Sequence, residues 1–255
     1  MGESSTQRQN EVAALRHGLD LGLSLIDTAE MYGEGGAEEV VAEAIAPRRT
    51  EVFLVSKVYP YNANRSGAIA ACERSLQRLK TDYLDLYLLH WRGSVPLAET
   101  LAAFESLKQS GKIRDYGVSN FDLSDMKEAK LSVGKAIATN QVLYNLMRRG
   151  IEWDLLPWCR THNIPIMAYS PVEQGRLLHH QVLQELAQRR GITPATLAIA
   201  WLLHQDKVIV IPKSSSIEHV KQNRAALEQQ LTVEELTALD TAFLPPSKRT
   251  ALEML

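Results

Sequence analysis

The chain has 255 residues, 45% of them hydrophobic, enough to bury one large core, and no Pro/Gly/Ser-rich linker divides it. Lys and Arg number 28 against 30 Asp and Glu, and the net charge of −2 supplies neither a basic field for nucleic acid nor a polybasic stripe for a membrane. Two cysteines, Cys72 and Cys159, are too few for a disulfide framework and lack metal-ligand spacing, which points to a reducing compartment.

The N-terminal string MGESSTQRQN is polar and lacks the apolar segment of a signal peptide, and no run of about 18 apolar residues occurs to span a bilayer. A cytoplasmic monomer acting on a small molecule is expected. In chain order, the helix-period string EVAALRHGLDLGL leads into the apolar run LSLIDTA. GGAEEVVAEAIA precedes VFLVSKV (52–58), and GAIAACERSLQRL precedes YLDLYLLHW (83–91). LAETLAAFESLKQSGK is followed by DYGVSNF (115–121), then ATNQVLYN (138–145) and IPIMAYSP (164–171). TPATLAIAWLLHQ leads to VIVIPKS (208–214). Each short apolar run suits a strand of a covered parallel sheet, and each periodic stretch a helix.

The alternation has a period of about 25–30 residues, which matches repeated βα units, and a doubly wound open sheet would show it too. No GxGxxG follows the first strand, and polar residues close several strands. The α/β class is therefore read as a (β/α)8 TIM barrel, with residues 1–255 as a single domain and seven barrel strands visible.

In such a barrel the strands' C-terminal ends carry the chemistry. Asp27 and Tyr32 follow the first visible strand, Lys57 closes the second and His90 the third. Singly, each has an ordinary account: a turn cap, a packed aromatic, a rim lysine, a core histidine. Together, at one end of three successive units, they suggest proton transfer to a carbonyl. A tyrosine with a pKa of about 10 is a poor acid at neutral pH without help. The expectation is that Lys57 lowers the pKa of Tyr32 while Asp27 keeps Lys57 charged, and that His90 orients the carbonyl. No side chain delivers a hydride, so a cofactor is required.

Over nearly its whole length the chain resembles the aldo-keto reductases. Asp27, Tyr32, Lys57 and His90, within LIDTAEMYG, LVSKV and LYLLHW, match the family's catalytic tetrad in order. The resemblance implies NADP(H) as cofactor. Ser119 and Asn120 in GVSNF and Gln141 in TNQ would meet the carboxamide, Tyr169 in AYSP would stack on the nicotinamide, and Ser170 beside it is a further expected cofactor contact. IPKSSSIEHVKQN is similar to the family's adenosine-phosphate segment, with Lys213 and Ser214 near the 2′-phosphate and Asn223 near the adenine. His219 stands where many members place an arginine, so the preference for NADP rests on Lys213. Read from the residues alone, a strand followed by Lys, three serines and a helix start offers a cation, hydroxyls and backbone N–H groups to a phosphate.

Within the family, DTAEMYGEGGAEEVV, LVSKVYP and TNQVLYNLMRRGIEWDLLPWC are similar to bacterial methylglyoxal reductases and their diketogluconate-reducing relatives. Small aldehydes and α-dicarbonyls are the expected substrates, with Tyr59 and Trp91 as either pocket walls or rim packing. The family also carries a capping hairpin and a first barrel strand before the first helix. Neither is in these residues, so the expectation is an N-terminally truncated barrel whose Met1 is an internal methionine.

Three other readings stand beside the reductase: a nicotinamide-binding redox sensor, an inactive truncated barrel, and a Schiff-base aldolase using Lys57. No metal site is expected, because the His179-His180 doublet has no carboxylate or cysteine at ligand spacing.

Overall fold

Apolar runs become parallel strands here because successive helices cover their outer faces. The computed structural model describes residues 1–3, 6–134 and 137–255. These form two units, Met1–Thr139 with Ser214–Val220, and Asn140–Lys213 with Lys221–Leu255.

In the first unit, helix α1 (Arg8–Asp20) precedes a three-residue strand β1 (Leu25–Asp27), and α2 (Gly36–Ile45) leads to β2 (Phe53–Val58). Then come α3 (Arg65–Leu79), β3 (Leu84–Leu89), α4 (Leu97–Gln109), β4 (Ile113–Ser119) and α5 (Leu123–Val133). The four strands pair in parallel in chain order. β3 is buried at every position, and β2 at all but its first, as a strand covered on both faces must be. Helix starts are capped locally: Asn64 accepts from the Gly67 N–H, and Asp122 and Asp125 form a reciprocal capping box.

Register decides which side chains share a face. Asp27 lies opposite Val55 and Lys57 opposite Leu88. Because faces alternate, Val55 and Lys57 point one way and Ser56 the other, where its hydroxyl donates to buried Glu38 of α2 at 2.6 Å. The N-terminal strand ends are stapled separately. Buried Asp85 accepts from the Leu54 N–H at 3.0 Å, pairs with Arg49 and Arg114 at 2.9 and 3.0 Å, and the Tyr83 ring lies beneath both guanidiniums.

In the second unit, β5 (Asn140–Leu143), β6 (Ile166–Tyr169) and β7 (Val208–Ile211) pair in parallel in that order. Helices α6 (Leu155–Thr161), α7 (Gln181–Arg190), α8 (Pro194–Leu203) and α10 (Val233–Ala242) belong to it, and α9 spans Ile217–Ala225. Ile199, Ala200 and Ala226 form a small core with Val172, Leu203, Val210 and Leu231 packed on it. Among the described residues no helix is long and apolar enough to cross a membrane.

Candidate active site

Four side chains from three consecutive strand ends meet in the first unit. Asp27 is the last residue of β1, Lys57 is the fifth of β2's six, and His90 follows β3, its N–H bonded to the Val58 carbonyl. Lys57 and His90 share a face because Lys57 is opposite Leu88, two residues before His90. Tyr32 arrives on the loop after β1, which is bonded back to β2 through Thr28 N–H to Val55 O and Glu30 N–H to Lys57 O.

The chain turns sharply after Tyr32, with Gly33, Glu34 and Gly35 all at positive φ. A close backbone contact supports this turn: a Cβ on Gly2 would lie 2.1 Å from the Gly36 carbonyl carbon, and one on Gly36 would lie 2.4 Å from the Gly2 oxygen. Buried Glu11 anchors the approach by accepting from the Gly2 N–H.

The Lys57 ammonium is fully buried and donates to Asp27 Oδ2 at 2.6 Å, to the Thr28 carbonyl at 2.9 Å and to the Tyr32 hydroxyl at 3.4 Å. On its other side the Tyr32 hydroxyl lies 3.5 Å from His90 Nε2. One oxygen-bearing substrate group placed between Tyr32 and His90 would meet both.

Burial pulls the Lys57 pKa down, but the Asp27 charge and the contact with Tyr32 outweigh it, and the net shift is upward. Lys57 is therefore a charged group, as expected, and a poor Schiff-base nucleophile, which removes the main support for the aldolase reading. For Tyr32 the expected direction is corrected. Burial raises its pKa more than Lys57 lowers it, with Asp27 adding to the rise, so the hydroxyl sits above its usual range and holds its proton. The string LIDTAEMYG does not reveal how deeply the Tyr32 hydroxyl is buried, and here burial prevails. His90 is pushed down to about 3 by burial and by the Lys57 charge, so its ring is neutral. Its Nδ1 is buried with no hydrogen-bond partner among the described residues, and an orphaned N–H there would be costly, which favours the proton on Nε2, facing Tyr32.

Ser119 closes β4 and is buried, and Asn120 leaves the strand at φ 56°. The Asn120 amide donates to the His90 carbonyl at 3.1 Å and to Ser119 Oγ at 3.3 Å, tying these two expected cofactor contacts to the tetrad. Ser214 also lies in the first unit, where its Oγ accepts from the Ser216 N–H and donates to the Ser216 carbonyl, closing the turn before α9. His219 is exposed in the first turn of that helix.

The remaining expected contacts lie in the second unit. Gln141 is buried on β5, Tyr169 is half-buried at the end of β6, and Ser170 follows at φ 50° with its carbonyl held by Asn145 at 2.9 Å. Lys213 is exposed and forms no ion pair among the described residues; Asn223 is half-buried in α9. Taken piece by piece, this set of hydroxyls, amides, one aromatic ring and a free cation suits a carboxamide, a planar ring and a phosphate.

Two features escaped sequence reasoning. Buried Glu173 accepts from Asn145 at 2.8 Å, Arg148 at 3.0 Å and Arg176 at 2.8 Å, fixing the loop after β6, where Ser170, Glu173, Gln174 and Gly175 all have positive φ. Glu30, between Asp27 and Tyr32 in the string, accepts from the Tyr59 N–H and the Asn62 amide. Its only signal was a charge inside a strand-end motif.

Comparison with known proteins gives concordant results. The family model described as "Aldo/keto reductase family" matches residues 1–243. Methylglyoxal reductase YeaE of Escherichia coli (strain K12) is 55% identical over 261 residues, covering 100% of this chain and 92% of that protein. An aldo/keto reductase from Klebsiella pneumoniae in complex with NADP and acetate superposes with a TM-score of 0.96 at 53% identity, over 100% of this chain and 92% of that one. An aldo-keto reductase from the same organism in complex with NADPH gives a TM-score of 0.96 at 54% identity with the same coverage. The α/β barrel class expected from the polar residues that close the strands is the fold of this chain.

Proposed function

Since the chain belongs to the aldo/keto reductase family, we propose that it reduces small aldehydes and ketones to alcohols with NADPH, methylglyoxal-like α-dicarbonyls foremost. The carrying observation is Lys57 Nζ at 3.4 Å from the hydroxyl of a protonated Tyr32, with His90 Nε2 at 3.5 Å on the other side. The substrate class follows from the 55% identical methylglyoxal reductase, and the cofactor from relatives crystallised with NADP and NADPH.

Bound NADPH supplies a hydride to the carbonyl carbon. The residues of the chain then manage the oxygen. His90, neutral and carrying its proton on Nε2, donates a hydrogen bond that orients the carbonyl beside Tyr32. As negative charge grows on the oxygen, Tyr32 gives up its proton and the product is the alcohol. The tyrosinate left behind is stabilised by the Lys57 ammonium, whose position is fixed by Asp27 and the Thr28 carbonyl. Lys57 therefore acts on the charge that develops during transfer, and the high resting pKa of Tyr32 keeps the acid loaded.

In the cofactor-binding role, Ser119, Asn120 and Gln141 would hold the carboxamide, Tyr169 would stack on the nicotinamide with Ser170 as a further cofactor contact, Lys213, Ser214 and His219 would serve the 2′-phosphate, and Asn223 the adenine. We also read the enzyme as a cytoplasmic monomer, and sedimentation at working concentration tests the monomer. Oxidation of NADPH on addition of methylglyoxal tests the central reading, with a panel of other aldehydes and ketones alongside. Turnover abolished by Tyr32→Phe, with cofactor binding intact, is the expected result. Tight NADPH binding with no oxidation by any carbonyl would instead favour the redox-sensor reading.

A further inference from the structure

Glu30 has no part in the proton-transfer chemistry, yet it is bonded at both ends to the exit of β2. Its backbone N–H reaches the Lys57 carbonyl at 3.4 Å, and its Oε1 accepts from the Tyr59 N–H at 2.8 Å and the Asn62 side-chain amide at 3.0 Å. Oε2 faces Arg74 of α3 at 3.7 Å, and the side chain is only 9% exposed. One oxygen thus gathers the two donors that open and close the turn Tyr59–Asn62, while the other meets a cation.

That turn carries an aromatic row. The Tyr59 ring stacks on Tyr61 at 5.1 Å and meets Trp91 edge-on at 5.0 Å; Trp91 lies 4.9 Å from His90, and His90 is 5.5 Å from Tyr32. The outer member, Tyr61, is 81% exposed, so its surroundings cannot hold the row in place. The inner end of the row rests on Tyr59, whose N–H is held by Glu30 and whose carbonyl accepts from the Asn62 N–H at 2.8 Å.

We propose that Glu30 is a positioning residue that sets substrate selectivity: its Oε1 fixes the aromatic wall relative to the proton donor carried on its own loop. This rests on the reductase reading above. The contacts among Asp27, Lys57 and Tyr32 do not pass through the Glu30 carboxylate, so the wall can loosen while proton transfer stays intact. The binding of planar carbonyl compounds that lie against the wall, such as α-dicarbonyls and aryl aldehydes, depends on Glu30. A short saturated aldehyde that does not reach the wall depends on it far less.

Glu30→Gln keeps Oε1 as acceptor for both bonds and removes only the charge facing Arg74. Glu30→Ala removes the acceptor, and Asn62→Ala removes one of its two donors, guarding against a Glu30→Ala protein that does not fold. NADPH oxidation gives KM and kcat for methylglyoxal, phenylglyoxal and propanal. Tryptophan emission of each variant, compared with its Trp91→Phe counterpart, reports the wall without any turnover.

The expected result for Glu30→Ala is a KM for the two dicarbonyls raised about tenfold, with kcat within about threefold and an unchanged pH profile, the pattern of lost uniform binding. Glu30→Gln should restore KM to within about twofold of the parent, and Asn62→Ala should fall between them. Trp91 emission should move in Glu30→Ala and stay in Glu30→Gln. Equal KM values in all variants, a fall in kcat at constant KM, or a Gln variant that behaves like the Ala one would overturn the proposal. A parent protein that binds NADPH but reduces none of the carbonyls defeats the reductase reading alone; Trp91 emission then decides the positioning role.

Discussion

Lys57 Nζ stands 3.4 Å from the Tyr32 hydroxyl, yet Tyr32 holds its proton more tightly than a tyrosine in water, because burial exceeds the pull of the ammonium. The lysine does not ionise the tyrosine at rest. Its charge matters most when the proton leaves, since a buried cation stabilises a new anion far more than it perturbs a neutral hydroxyl.

A pH dependence follows, with its sign. Reduction needs protonated Tyr32 and neutral His90; the first is lost only above about pH 10, and the second only near pH 3. The rate of the chemical step should therefore be flat between about pH 5 and 9, while oxidation of the alcohol, which needs tyrosinate, should climb with rising pH. Single-turnover rates in both directions across that range would show it. A reduction rate that breaks near pH 7 would mean that another group controls the proton.

Asp27→Asn removes the counter-charge of a fully buried ammonium. With only burial and Tyr32 left acting on it, the Lys57 pKa should fall, and stability should drop by roughly 3 kcal/mol, as when one partner of a buried pair is removed. Reduction should slow by about a hundredfold and become sensitive to pH, falling as pH rises and Lys57 loses its proton. A pH series on the variant checks this; a flat profile at parental rate would contradict the role given to Asp27.

His90 also links acidity to stability. Its pKa is about 3 in the folded chain and about 6.5 unfolded, so the unfolded chain binds the extra proton first. Its contribution is complete above about pH 6.5 and is lost as pH falls toward 3, by up to about 1.4 kcal/mol per pH unit. Urea unfolding of the parent and of His90→Gln between pH 7 and about 4 should show a shallower acid slope in the variant. Parallel slopes would show that His90 is not buried in its neutral form.

Glu173→Ala should be costly although Glu173 is no member of the tetrad. It strips the acceptor from the buried Asn145 amide and from the more exposed Arg148 and Arg176, and a loss of about 1–3 kcal/mol is expected, mainly from the Asn145 amide left short of a partner. The loop it fixes begins at Ser170, so NADPH affinity measured by fluorescence titration should weaken as well. Unchanged affinity in a destabilised variant would separate this loop from the cofactor.

Lys213→Glu probes the choice between nicotinamide cofactors. An exposed cation without an ion-pair partner among the described residues is suited to the 2′-phosphate, so KM for NADPH should rise by about tenfold or more while KM for NADH changes little. A parallel loss with both cofactors would move the phosphate contact elsewhere.

The tetrad was legible because parallel strands are continuous apolar runs, and a polar residue that closes one stands out. LVSK marks Lys57 as the polar residue that closes the run, whereas the bond from Ser56 to Glu38 on the opposite face had no signal in the string. The helix at 194–203 was clear from its period, whereas α6 was missed because it is short and carries Pro157 in its first turn. The pKa direction of Tyr32 was not legible, since burial depends on everything packed around the hydroxyl. Nor were the partners of Glu30 and Glu173: Glu30 reaches 29 positions ahead to Tyr59, and Glu173 reaches back 28 to Asn145, through loop geometry that local patterns do not encode.

The register that sets Asp27 opposite Val55 has a consequence for how such a protein can change. Strand pairing permits no partial slip: moving β2 by one residue would exchange the ammonium of Lys57 for the hydroxyl of Ser56 and end catalysis outright. The aromatic turn beyond β2 faces no such all-or-none constraint and can be rebuilt one side chain at a time. New substrates are thus accessible by small steps in the loops, each taken by a molecule whose chemistry still works.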